Sequence, residues 1–184
     1  WSRVVDVGTS ADVFSKFTGG LAFSYMSDGG VEPIYKAVVN SINNTLGSEV
    51  AATNPMPTFN EFRDAVTNRK MTGAFRTGWQ PDYPSAENYL VQNFASAAAD
   101  GNGSNDGDYK NPEFDALCDK AAASKSVADA NKLYQQAQEV LLNDLPAVPL
   151  YYANAYGVAS TGVSGFEMNW QNLPVYENMT KSGK

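Results

Sequence analysis

No histidine occurs anywhere in this 184-residue chain, and there is one cysteine, Cys118. Without imidazole, catalytic triads, histidine general bases and most zinc or nickel sites lose their usual residue. One thiol forms no internal disulfide and builds no cysteine-rich metal site. It suits the cytoplasm and many exported bacterial proteins alike. No run approaches the roughly 18 apolar residues needed to span a bilayer. Positive charge is the scarcer sign, with 13 Lys and Arg against 20 Asp and Glu, a formal −7. These bases are scattered rather than gathered into the stripe a phosphate backbone requires, so no nucleic-acid partner is expected. The opening Trp1-Ser-Arg-Val-Val-Asp shows neither the basic nor the apolar region of a secretory leader. Starting at Trp1 rather than Met, the sequence is expected to be a processed product or a cut fragment.

What is present suits a soluble globular protein: 43% hydrophobic and 18% charged residues. The length fits one domain that buries about two-thirds of its unfolded surface. Leu21 to Met26 reads as a short strand, and Ser27-Asp-Gly-Gly30 as a turn. A helix is expected over Glu32–Leu46, with Pro33 in its first turn, Gly47 as its stop, and Ile34, Ala37, Val38, Ile42 and Leu46 on its apolar face. Ser48 to Thr53 reads as a second strand, ended by Asn54-Pro-Met-Pro57. Thr58-Phe-Asn-Glu61 is a capping box that starts a helix with Phe59, Phe62 and Val66 on one side. Met71 to Trp79 reads as a third strand and Ser85 to Phe94 as a helix.

Beyond a polar, glycine-rich loop at 100–108, Asn111-Pro112 starts a helix bearing Phe114, Leu117, Cys118 and Ala121 on one face. Cys118 there reads as a small buried hydrophobe. Ser126 caps a longer helix, Val127 to Asn143, with Ala130, Leu133, Ala137, Val140 and Leu141 at helical spacing. Ala147 to Ala153 is strand-like, with Pro149 placing it at an edge or a strand start, and Tyr156 to Ser160 suggests another strand. No repeat appears. The pattern predicts an α/β domain, a small mixed sheet flanked by helices. Residues 1–20 read as an irregular N-terminal segment, 21–175 as the folded lobe and 176–184 as a polar tail.

The densest chemistry lies between Arg76 and Leu90. Arg76, Trp79, Asp82 and Tyr83 place both charges and aromatic walls in one loop, which suits a ligand carrying an amine and a backbone. A structural alternative is an Arg76–Asp82 ion pair at a strand end, with Trp79 in the core. A second constellation, Asn102 to Glu113, nearly spells a calcium loop, with Gly107 at its sixth place and Glu113 at its twelfth. Asn102, Ser104 and Lys110 stand where that pattern wants other residues. A solvated connector that caps the next helix explains the loop better, while a calcium-dependent interaction module remains the alternative. A hydrolase pairing Asp82 with Glu87 is a further one, though no nucleophile motif accompanies it. Sequons at Asn43, Asn102 and Asn178 are short enough to arise by chance.

Four segments in order carry a resemblance: Gly78-Trp79-Gln-Pro-Asp82-Tyr83, Tyr109-Lys-Asn-Pro-Glu-Phe-Asp-Ala-Leu117, Leu133-Tyr-Gln-Gln-Ala-Gln-Glu-Val-Leu-Leu-Asn-Asp144, and Pro146-Ala-Val-Pro-Leu-Tyr-Tyr152. From about Leu21 to Val175 the chain resembles the C-terminal lobe of the oligopeptide/dipeptide class of extracytoplasmic solute-binding proteins. The resemblance implies a single lobe of a periplasmic-binding-protein type II fold. Such a lobe would work with an N-terminal lobe lying outside this sequence, and the two would close on a peptide or similar solute. It implies delivery to the transmembrane subunits of an ABC permease, an extracytoplasmic and lipid-anchored location and no catalysis. Some members of the class take nickel, haem, sugars or opines instead. The lack of histidine argues against a metal ligand here, so no cofactor or metal is expected. By the same resemblance Asp82 would pair with a peptide α-amino group and Arg76 would lie near its backbone or carboxylate. Trp79 would wall a side chain, Tyr83 would pack nearby, and Gly78 would permit close backbone approach.

Overall fold

A computed structural model describes residues 21–47 and 49–182. The expected irregular segment 1–20, the Ser48 strand start and the last two residues of the tail lie outside the described residues. The chain divides into two compact units, Trp1–Gly78 and Trp79–Lys184.

In the first unit, strand β1 (Leu21–Met26) lies at the centre of a parallel sheet. It is flanked by β2 (Ala51–Met56) and β3 (Ala74–Phe75), in the order β2-β1-β3. The register pairs Leu21 with Ala51 through Met26 with Met56, and Phe23 and Ser24 with Ala74 and Phe75. Helix α1 (Glu32–Leu46) begins with Pro33 in its first turn, where the missing N–H costs nothing. It stops at Gly47, whose φ of 67° only glycine adopts freely and whose amide donates to the Asn43 carbonyl. Helix α2 (Phe59–Thr67) starts on the Thr58 cap, with the Thr58 hydroxyl oxygen accepting from the Glu61 amide at 3.2 Å. The Glu61 carboxylate accepts from that hydroxyl at 3.0 Å. Both helices pack on β1 and β2.

Three expectations shift here. The buried face of α1 is set by Tyr35 and Val39, while Ile34 and Ala37 are exposed. Tyr35 takes the inward position because its ring stacks on Tyr25 at 5.0 Å and meets Phe23 at 5.2 Å. Strand β2 runs on through Asn54, Pro55 and Met56 rather than ending there. It is an edge strand, so Pro55 needs no second ladder partner. The third strand shrinks from Met71–Trp79 to two residues, extended only by the Arg76 amide donating to the Ser24 carbonyl at 2.9 Å. Asn43, read as a chance sequon, clamps the start of β2. Its side-chain oxygen accepts from Val50 and Ala51 amides and its NH2 donates to the Ala51 carbonyl.

The second unit is built on helices α3 (Ala86–Phe94), α4 (Pro112–Ala122) and α5 (Val127–Asp144). Ser85, Asn111 and Ser126 cap them, each accepting a first-turn amide. Their shared core holds Leu90, Ala95, Phe114, Cys118, Ala121, Tyr134 and Ala137. Burying a Phe or Leu side chain of this kind contributes about 1.5–3 kcal/mol. A short antiparallel pair, β4 (Val163–Ser164) with β5 (Thr180–Lys181), forms separately from the parallel sheet. The expected strands at 147–153 and 156–160 do not form. The run takes up no regular secondary structure, and among the described residues no strand lies beside it to share a ladder. Val148, Leu150, Tyr152, Tyr156 and Val158 are exposed along it.

Candidate functional site

The division between the two units falls inside the Arg76–Leu90 segment, so the expected site residues are described unit by unit. Arg76 and Gly78 belong to the first. Arg76 is half-buried beyond the end of β3, and Gly78 is exposed. A Cβ on Gly78 would lie 3.2 Å from the Arg76 guanidinium, so glycine leaves that group its room.

Trp79, Asp82 and Tyr83 belong to the second unit, in the loop that leads into α3. One side chain organises this loop. Asn88, on the first turns of α3, is 1% exposed. Its Oδ1 accepts from the Trp79 indole N–H at 2.8 Å and from the Asp82 backbone amide at 3.0 Å. Two acceptor lone pairs on one buried oxygen therefore fix both a ring and a turn. Trp79 is half-buried as a result, while Asp82 is exposed. Among the described residues of its unit, no side chain is hydrogen-bonded to the Asp82 carboxylate.

Tyr83 stands on the outer side of the same turn and donates its hydroxyl to the Glu87 carboxylate. That bond raises the phenol above its ordinary pKa, and a hydrogen bond with Asn88 opposes the rise. Glu87 is thus occupied with Tyr83. A second clamp comes from the tail: Gln80 Nε2 donates to the Gln171 carbonyl at 2.9 Å, and Gln171 Nε2 donates to the Pro81 carbonyl at 3.1 Å. Asn169 steadies that tail loop by accepting from the Gln171 and Leu173 amides. Beside the turn opens a hollow of about 580 Å³ lined by Pro81, Tyr83, Pro84, Tyr89, Val127 and Trp170, with Ser85, Ala86 and Asn131.

Neither Asn88 nor the Gln80–Gln171 clamp stood out in sequence. The only signal for Asn88 was its place on the buried side of a helix, three residues past the Ser85 cap and two before the core residue Leu90.

The 102–113 loop is organised from within. Asn105, 1% exposed, donates to the Ala95 and Tyr109 carbonyls and accepts from the Tyr109 amide. Asp108 accepts from the Asp100 amide at 2.7 Å, and Lys110 pairs with Asp100. Asn111 caps α4 and donates to Asp144, which also accepts the Tyr109 hydroxyl at 2.6 Å. Burial and the Asp144 bond push the Tyr109 phenol up to about 12. Among the described residues no three acidic or thiol side chains converge as a metal site. No described helix is long and apolar enough to cross a membrane.

The fold places the chain in a class. It superposes on a solved oligopeptide-binding protein, OppA of Burkholderia pseudomallei, with a TM-score of 0.75 at 21% identity, covering 89% of this chain and 31% of that one. This is the type II periplasmic-binding-protein fold. The sequence is similar to di/tripeptide-binding protein 4 of Pseudomonas aeruginosa (strain UCBPP-PA14), 35% identical over 92 residues, which are 50% of this chain and 17% of that protein. It is also similar to the dipeptide-binding protein DppE of Bacillus subtilis (strain 168), 23% identical over 163 residues, 89% of this chain and 28% of that protein. No family model matches. The chain is similar to dipeptide- and oligopeptide-binding proteins and spans less than a third of the length of these relatives. They are binding proteins rather than enzymes.

Proposed function

We propose that this chain is the C-terminal lobe of an extracytoplasmic, lipid-anchored solute-binding protein that captures peptides or similar amine-bearing solutes for import by an ABC permease. The observation that carries this reading is the Asn88 clamp, which holds the Trp79–Tyr83 turn with the Asp82 carboxylate exposed. An ammonium withdrawn from water needs a charged acceptor to offset its desolvation. A carboxylate on a turn fixed beforehand supplies one with little ordering cost. In this reading Asp82 takes the solute amine and Trp79 presents its exposed edge to the neighbouring part of the solute. Tyr83 borders the turn, Gly78 keeps the backbone approachable, and Arg76 serves the solute backbone or carboxylate. A second lobe supplies the opposite wall, and closure is stabilised by contacts made only in the closed form. No bond is made or broken.

The test is calorimetry of short peptides on the full-length, two-lobed protein. Asp82→Ala is expected to weaken binding about tenfold or more, as removal of one partner of a desolvated charge pair does. Unchanged peptide affinity would refute the assignment.

A further inference from the structure

We propose that Asn102 is a site of self-modification, converting to aspartate and isoaspartate through a cyclic imide formed with the Gly103 amide nitrogen, and that the fold directs this chemistry to that asparagine first. The inference does not depend on the solute site. Asn102-Gly103 lies in the loop between α3 and α4 and is the only asparagine of the chain followed by glycine. Glycine carries no side chain to shield its amide nitrogen from the residue before it.

The structure leaves both reacting groups open. Asn102 and Gly103 are exposed. Among the described residues, the Asn102 carboxamide has no hydrogen-bond partner and the Gly103 amide donates to no acceptor. Asn105, three residues on, is the opposite case. It is 1% exposed, and its carboxamide makes three hydrogen bonds, to the Ala95 and Tyr109 carbonyls and from the Tyr109 amide. Glycine at 103 has a packing reason of its own. A Cβ there would lie 2.9 Å from the Ala98 Cβ and 3.1 Å from its Cα. The close turn therefore demands the residue that leaves Asn102 reactive.

The step balances without any redox partner. Hydroxide takes the proton from the Gly103 amide, and the nitrogen attacks the Asn102 side-chain carbonyl carbon. A new C–N bond forms, the bond from that carbon to Nδ2 breaks, and ammonia leaves with a proton from water. A second water opens the imide at either carbonyl. One opening gives aspartate; the other gives isoaspartate, which lengthens the backbone by one carbon. Either product adds a negative charge to a loop that already holds Asp100, Asp106 and Asp108. The longer backbone falls among short ties: the Asn102 amide to the Ala99 carbonyl at 3.1 Å, and the Asn105 amide to the Ala98 carbonyl at 3.3 Å. Isoaspartate is in turn the acceptor for an isoaspartyl methyltransferase.

The experiment incubates the full-length protein at physiological temperature and mildly alkaline pH. Product is located by tandem mass spectrometry and counted by an isoaspartyl methyltransferase with labelled S-adenosylmethionine. Isoaspartate and aspartate are expected at residue 102. Conversion at Asn105 should be slower by on the order of a hundredfold, because it must wait for three hydrogen bonds to open. Asn102→Gln, whose longer side chain closes a less favoured ring, should lose most of the methyl label and keep its circular dichroism. The free peptide Asp-Gly-Asn-Gly-Ser is the reference for the same dipeptide without a fold. An unmodified residue 102 while that peptide converts overturns the proposal. So does a methyl label that survives Asn102→Gln. Equal conversion at Asn102 and Asn105 would overturn the directing role of the fold.

Discussion

Replacing Asn88 with alanine isolates the one side chain on which the turn depends. The change removes the acceptor for the Trp79 indole N–H, at 2.8 Å, and for the Asp82 amide, at 3.0 Å. Each such bond is worth about 1 kcal/mol net, and a donor left in a partly buried place costs somewhat more. The gross loss is therefore about 2–3 kcal/mol. Alanine recovers about 0.5 kcal/mol through its better helix propensity. The expected net destabilisation is about 2 kcal/mol, measured by urea unfolding monitored by far-UV circular dichroism. Tryptophan emission should shift to the red in the folded state as the indole N–H turns to water. Asn93→Ala is the control: its amide only bonds back to the Tyr89 carbonyl one turn earlier, so the change should stay within about 0.5 kcal/mol. An Asn88→Ala loss no larger than that control, with unchanged emission, would refute the idea that one amide shapes the turn.

Two further outcomes concern titratable groups. The Tyr109 and Asn111 side chains hold the Asp144 carboxyl below its ordinary pKa. A depressed folded-state pKa contributes stability that is present above the unfolded value, about 3.9, and is lost as pH falls through the folded value. Tyr109→Phe should raise the Asp144 pKa in an NMR titration and flatten the acid side of the stability curve; an unmoved pKa would contradict the bond. Burial pushes the Cys118 thiol up to about 11, so it stays protonated near neutral pH. Its labelling by a thiol reagent should be slow in buffer and should rise with urea in step with unfolding. Prompt labelling without denaturant would show that the helical core opens around it.

Sequence and structure agree where the signal is local. The Thr58, Asn111 and Ser126 caps each sit on their helix starts, because a short oxygen followed by an amphipathic run needs nothing distant to act. Parallel strands are different. β2 was placed too early because a proline seemed to end it, and only the edge position that the sheet confers on Pro55 permits the longer strand. Ala147–Ala153 carries the composition of a strand, and among the described residues it has no neighbour to pair with. At the site, Trp79 and Asp82 were visible as a charged and aromatic pair. The group that positions them was not, since a lone asparagine in a helix gives no hint that two donors from a preceding loop will meet it. Trp170 and Gln171 lie about ninety residues further on, beyond any local pattern.

The stretch after α5, which has no ladder partner among the described residues, bears on how this molecule behaves in concentrated solution. Among the described residues, no backbone group between Ala147 and Ala159 is hydrogen-bonded to another segment, and Tyr152 and Val158 are almost wholly exposed. Val148, Leu150, Tyr152, Tyr156 and Val158 recur at even positions, and alanine, proline or glycine takes most of the odd ones. Drawn out as a strand, such a sequence would have one bulky side and one smooth side, a template for edge-to-edge assembly. Pro149 interrupts the donor row, and net negative charge keeps neighbouring molecules apart. Raising the salt concentration screens that repulsion and leaves the template untouched, so self-association should set in at high ionic strength before any loss of helical structure.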